Sequence, residues 1–268
     1  MTDSVVEGLV KRIQERKVVV VCGAGVSRAA TNNKAPGWWQ LIGSGIEAAR
    51  VHAGGKWAEA QKAQLETGDL SCWLAAADQV RRKLQQAPGG LLTEWLRLNI
   101  GDLRVEERHS EILAAIKSLD CPTATTNYDD ILCDFFERHR LLWNRPEQEV
   151  IPFLNRVPGR DGIFHLHGHW QDPDTMIFGQ SDYDRIGRDG KAQFLQKLLA
   201  FNHSVLFIGC SHSGLTDECW RLTDLVLHRL EHRGPLSLLA GHRQGIDRGK
   251  IAGRGEASFL RGKPWQAP

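Results

Sequence analysis

No stretch of the 268-residue sequence approaches the ~18 consecutive apolar residues that a membrane-spanning helix needs, and the opening MTDSVVEGLVKRIQERK lacks the apolar core of a secretory signal. The expectation is a soluble, cytoplasmic protein with no membrane partner. An excess of one charge is also lacking. Against 34 Lys+Arg stand 32 Asp+Glu, a formal net charge of +2, so no direct binding of nucleic acid is expected. The six cysteines, Cys22, Cys72, Cys121, Cys133, Cys210 and Cys219, include no CxxC pair, which argues against a zinc ribbon or a thioredoxin-type motif. They read as reduced thiols buried as small hydrophobes. Internal repeats, low-complexity segments and a GxGxxG fingerprint are absent.

Hydrophobic residues make up 41% and charged residues 25%, the composition of a globular protein long enough for one large α/β domain or two small ones. Charge is unevenly spread. Between Gly241 and Lys263 six Lys/Arg stand against two Asp/Glu, so this Gly-rich end is basic and the remainder is mildly acidic. With six glycines and no apolar periodicity, residues 241–268 are expected to be irregular: a disordered end, the remnant of a second region, or a segment that touches an acidic partner.

The run KVVVVCGAG from Lys17 is β-branched and ends in glycines, the pattern of a strand buried on both faces. An amphipathic helix over Val5–Arg16 precedes it. Similar apolar runs recur as PTATTN, GIFHLHG, TMIF (Thr175–Phe178), SVLFIGCS (Ser204–Ser211) and PLSLLAG (Pro235–Gly241), with helical patterns at Asp130–Arg140, Lys191–Ala200 and Thr216–Arg233 between them. This alternation predicts an α/β fold, a Rossmann-like parallel sheet with helices on both faces. Residues from about Ala30 to Arg108 break it with helix-forming sequence, which predicts a helical insertion after the first strand, with a turn at Pro88-Gly89-Gly90.

Four short motifs carry the chemistry. Gly23-Ala24-Gly25-Val26-Ser27 follows a buried strand, where backbone N–H groups and a helix N-terminus can receive a pyrophosphate; tight packing is the alternative. Thr125-Thr126-Asn127-Tyr128-Asp129 falls at the carboxyl end of the next strand, where ligands of open α/β sheets bind, although Thr126 and Asp129 also suit helix capping. In Phe164-His165-Leu166-His167-Gly168-His169, period-two alternation puts the three histidines on one face, which leaves open a metal site or a catalytic or structural imidazole. Gly209-Cys210-Ser211-His212-Ser213-Gly214 offers small residues for close approach of ribose or phosphate, or a plain strand-to-helix turn.

Taken in order, Gly-Ala-Gly-x-Ser, Thr-x-Asn-x-Asp, Leu-His-Gly and Gly-x-Ser resemble the sirtuin superfamily, and more closely the bacterial sirtuin-like NAD-cleaving proteins of anti-phage defence. Pro36-Gly37-Trp38 and Ser181-Asp182-Tyr183 are similar to further segments of that group. The resemblance spans about residues 15–225 and implies a sirtuin-like NAD-binding domain over residues 1–240, including the insert. Departures bear on function. No four-cysteine zinc module is present, so no zinc is expected, and Ala35-Pro36-Gly37-Trp38-Trp39-Gln40 stands where protein deacetylases carry Gly-Ile-Pro-Asp-Phe-Arg.

The resemblance thus implies an NAD+ hydrolase, with NAD+ as substrate and nicotinamide and ADP-ribose as products. Asn127, His167 and Asp129 would be catalytic. Gly23, Ala24, Gly25, Ser27, Arg28, Thr126, Gly209, Cys210 and Ser211 would hold the dinucleotide, and no residue is assigned to a metal. The alternatives are a non-catalytic NAD or ADP-ribose module and an NAD-dependent deacylase. The resemblance further implies a homo-oligomer and a defence partner such as a HerA-type ATPase or a short Argonaute.

Overall fold

The structure, a computed structural model, describes residues 2–145, 147–190, 203–210 and 238–240. Six strands form one parallel sheet in the order β3-β4-β2-β1-β5-β6. They are β1 (Val18–Cys22), β2 (Thr123–Thr125), β3 (His139–Leu142), β4 (Gly162–His165), β5 (Ser204–Ile208) and β6 (Leu238–Ala240). The all-valine start of β1 is buried throughout because the strand is central, with β2 and β5 at its edges and helices over both faces.

Alternate β1 residues feed two cores. Val18, Val20 and Cys22 pack with α2 (Ala24–Ala30), α7 (Glu111–Ser118) and α8 (Ile131–Phe136), and α1 (Thr2–Gln14) adds Leu9 and Ile13. Val19 and Val21 join the other face with α9 (Glu147–Leu154) and Ile186 of α10 (Gln180–Arg188). The connection after β2 therefore runs over one face and that after β4 over the other. Neighbouring strands whose connections diverge open a crevice at their carboxyl ends, the position where open α/β sheets bind ligands.

Between β1 and β2 lie the helices of the insert, α3 (Trp38–Ala53), α4 (Gly55–Glu66), α5 (Leu70–Gln86) and α6 (Leu91–Leu96), as the sequence predicts. Pro88–Gly90 is a single turn in which Gly89 and Gly90 take positive φ. The insert has its own core of Ile42, Ile46, Val80, Leu84, Trp95 and Leu96. Most of its tryptophan is core: Trp95 is buried, while Trp38 and Trp73 pack against each other at 6.2 Å between ring centroids.

Three expectations change. Among the described residues the Thr175–Phe178 run pairs with no strand: Met176 and Phe178 enter the insert core while Ile177 enters the sheet core. Its period-two pattern reflects two cores on opposite sides of one extended segment. The predicted Asp130–Arg140 helix ends at Phe136, Glu137 takes φ 56°, and the chain continues as the edge strand β3. The helix α9 was not anticipated. The predicted helices Lys191–Ala200 and Thr216–Arg233, most of Pro235–Gly241, and the 241–268 end lie outside the described residues, apart from β6.

Candidate active site

Gly23 closes β1, and its N–H donates to Ile208 O at 2.9 Å; Gly25 N–H donates to Gly209 O at 2.8 Å. The two glycine loops after β1 and β5 thus meet backbone to backbone. A Cβ on Gly23 would stand 2.7 Å from Gly209 O, and one on Gly25 2.8 Å from the same oxygen. Gly209 itself has φ +67° and approaches Val26 N. Close packing therefore accounts for these glycines, and Gly25 N–H is engaged within the protein. Gly25 stays exposed and Ala24 half-buried, so the turn keeps one open side. Arg28, one turn along α2, is half-buried. Cys210 lies against the Gly23 turn with its Sγ 3.8 Å from Val21 O, and Ser211 is outside the described residues.

Asn127 is buried and welded to this turn. Its Nδ2 donates to Gly23 O at 3.0 Å and to Ser27 Oγ at 2.8 Å, which fixes the amide orientation, since the opposite one would set two acceptors face to face. Its own N–H donates to Thr125 Oγ1, which in turn donates to Cys22 O. Both amide hydrogens being used, Oδ1 is the polar atom left for a ligand; among the described residues it accepts from no donor. Thr126 sits beside it, half-buried, with its N–H on Cys22 O.

Ser27 joins Asn127 to Asp129. Its buried hydroxyl accepts from Asn127 and donates to the Asp129 carboxylate. Asp129 also accepts from the N–H of Ile131, the first residue of α8, at 3.1 Å, from one position before the N-cap Asp130. Burial drives the Asp129 carboxyl up to about 6, against the Ser27 and Ile131 hydrogen bonds, and the neighbouring Asp130 adds to the rise. Among the described residues no Lys or Arg pairs with it. A buried carboxyl without a cation costs stability, and carboxyls perturbed in this way concentrate at functional sites.

The three histidines do not share a face, because β4 ends at His165. His165 Nδ1–H donates to Asn127 O at 3.1 Å and its Nε2 meets Cys133 Sγ at 3.4 Å. Burial lowers the imidazole to about 3 and raises the thiol to about 12, so both are neutral and Cys133 is no nucleophile. Gly168 turns the chain at φ +81°, where a Cβ would collide with the Thr175 carbonyl. That turn sends His167 to the other side, edge-on to Tyr183 at 6.1 Å. Desolvation lowers His167 to about 4. His169 is fully buried against Asp130. Among the described residues no group of three or more His, Cys, Asp or Glu side chains is placed to hold a metal ion.

Sequence reasoning missed the cluster behind the loop. Asp130 accepts from His169 Nε2–H at 2.9 Å and from Trp170 Nε1–H at 2.8 Å, and Arg140 donates to His169 Nδ1 at 2.8 Å. Burial would raise the Asp130 carboxyl, but these hydrogen bonds and the Arg140 charge hold it at about 2. Asp182, noted within Ser181-Asp182-Tyr183, is structural: it binds Arg81 at 2.8 Å and caps α10 through Phe178 and Gly179 N–H.

The loop bearing Asn127 and Asp129, the strand leading to His167 and the Gly209 turn all fall within one stretch of sequence. Residues 123–216 match the family described as SIR2-like domain, a domain type that binds NAD+, and so connect this segment with the NAD-related sirtuin-type superfamily.

Proposed function

We propose that the protein hydrolyses NAD+ to nicotinamide and ADP-ribose and serves as the effector of an abortive-infection type of anti-phage defence. The observation that carries the chemical part is the Asn127–Ser27–Asp129 chain at the carboxyl edge of β1 and β2, in a segment that matches the SIR2-like domain. Nicotinamide leaves as a neutral base from a cationic ring nitrogen, so the departure needs no general acid. What needs stabilising is the oxocarbenium-like ribosyl transition state.

Each residue has a part in that. Asn127 Oδ1 accepts from a ribose hydroxyl or from the attacking water. Asp129, ionised above about pH 6, places negative charge beside the developing cation. His167, neutral at pH 7, accepts a proton from the water or a ribose hydroxyl. Burial makes it a weak base, which suffices because the oxocarbenium carbon is so electrophilic that proton loss can follow bond formation. Arg28 and the open side of the Gly23–Ser27 turn face the pyrophosphate. A homo-oligomer or a defence ATPase or Argonaute partner would restrain an activity that empties the cell of NAD+.

Incubation of the protein with NAD+ should release nicotinamide, and Asn127→Ala and His167→Ala should each reduce kcat by ~10²–10⁴-fold in folded protein, the usual effect of losing a positioned acid–base group. Losses under tenfold would reassign the catalytic residues. Because Ser27 and both Asn127 amide hydrogens are used internally, a second reading is NAD or ADP-ribose binding without turnover. Tight ADP-ribose binding with no nicotinamide release would favour it, and a requirement for acyl-lysine peptide would favour deacylation.

A further inference from the structure

The cluster behind the catalytic loop is more fully satisfied than helix capping requires. Both Asp130 carboxylate oxygens are used, one by His169 and one by Trp170. His169 is 0% exposed. Its Nδ1 accepts from Arg140 at 2.8 Å and from Gln171 N–H at 3.2 Å, so the ring proton sits on Nε2 and points at Asp130. Trp170 N–H donates to Tyr128 O at 3.1 Å. His165, edge-on to His169 at 5.0 Å between centroids, holds Asn127 O. Asn127, Tyr128 and Asp130 are therefore each gripped by the end of β4 and the loop that follows it, which carries His167.

We propose that Asp130 is a positioning residue for the Asn127–Asp129 loop, acting through His169 and Trp170 and not on the substrate. The inference rests on the reading of that loop as the NAD-cleaving one. The Trp170 indole and the His169 Nε2–H are both donors, and only a carboxylate accepts from both. An asparagine at 130 would turn its NH2 toward one of them in either flip, and His169 cannot move its proton to Nδ1, where two donors already point. The strain would shift the loop, and displacement by ~1 Å at a reacting group costs ~10²-fold.

The test uses the full chain. Asp130→Asn should lower kcat for NAD+ by ~10–100-fold while KM changes by less than ~3-fold. Adding Trp170→Phe, which removes the clashing donor, should restore kcat by at least ~5-fold over Asp130→Asn alone. The side-chain amide signals of Asn127 in ¹⁵N-labelled protein should move in Asp130→Asn and return in the double variant. That readout needs no turnover. A parent protein that cleaves no NAD+ but shows this response would overturn the NADase reading and keep the positioning role. Unmoved Asn127 signals, or a double variant no better than the single, would overturn the positioning role itself. Should Asp130→Asn not fold, Arg140→Gln frees His169 Nδ1 and should move the Asn127 signals alone; no movement counts against the proposal.

Discussion

In the proposed NADase, Asp129 sets stability against function at a single residue. Its carboxyl lies near 6, above the ordinary 3.8, so the fold favours the protonated form. The associated stability is fully present below about pH 3.8 and is lost as pH rises through about 6. At neutral pH the buried carboxylate therefore costs on the order of 3 kcal/mol, taking ~1.4 kcal/mol per pKa unit. Asp129→Asn keeps the acceptor for Ser27 and Ile131 and removes the charge. Its melting temperature should exceed that of the parent at pH 7.5 and converge with it near pH 4, while NAD+ turnover falls. A variant less stable at pH 7.5 would mean that the carboxylate is stabilised by something beyond Ser27 and Ile131. The histidines act oppositely: His165 and His167, held at about 3 and about 4, lose stability as pH falls from their ordinary 6.5. The placing of Asn127, Asp129 and the glycines at strand ends was legible because each lies within a short motif next to an apolar run. The Asp130–His169–Arg140 cluster was not, because its partners stand 39 and 29 residues apart and hydrogen bonding at such distances leaves no periodic trace.

Among the elements, those with unambiguous periodicity were legible. β1 announces itself by five consecutive β-branched or small apolar residues, and the insert by its length of helix-forming sequence. β3 was illegible because His139–Leu142 follows α8 with no glycine or proline to break the pattern; Glu137 ends the helix by adopting φ 56°, a conformation rare outside Gly, Asn and Asp. The three-histidine face failed for a related reason: alternation persists in sequence after the strand has ended at His165. Glycine packing between elements is open to direct measurement. Gly209→Ala meets Val26 N at 2.6 Å and has φ +67°, whereas Gly90→Ala shares the positive φ with nothing within 4 Å. Gly90→Ala should cost ~1 kcal/mol in urea unfolding, the left-handed penalty alone. Gly209→Ala should cost ~1–3 kcal/mol more, and the difference measures how tightly the β1 and β5 loops are pressed together. Equal losses would mean that the β5 loop yields, and that the turn is less preorganised than its hydrogen bonds imply.

At the scale of the molecule, the question is how the insert is held to the sheet that carries the site. Arg81 of α5, 15% exposed, spans the junction: it binds Asp182 of α10 and also donates to Met176 O and Pro173 O. Asp78 of the same helix accepts from Ser181. The segment between His169 and α10 is thus clamped by the insert on one side, while Ile177 N–H donates to His167 O on the other, so insert and His167 share a strap. Breaking a buried pair from one side leaves an uncompensated charge and costs ~3–5 kcal/mol, but the two sides are not equivalent here. Removing Arg81 leaves Asp182 with Arg185 at 3.1 Å. Removing Asp182 leaves Arg81 only the exposed Asp174 as a counter-charge, at 3.8 Å, and strands two backbone donors, Phe178 and Gly179 N–H. Asp182→Ala should therefore destabilise the protein more than Arg81→Met, and the double variant should lose less than the sum by ~0.5–3 kcal/mol. Near-ultraviolet dichroism would follow the insert, since Trp38, Trp73 and Trp95 lie in its core. If Arg81→Met proves the costlier change, the carbonyls of Pro173 and Met176 hold the insert more than the ion pair does, and the strap to His167 runs through the backbone of that segment.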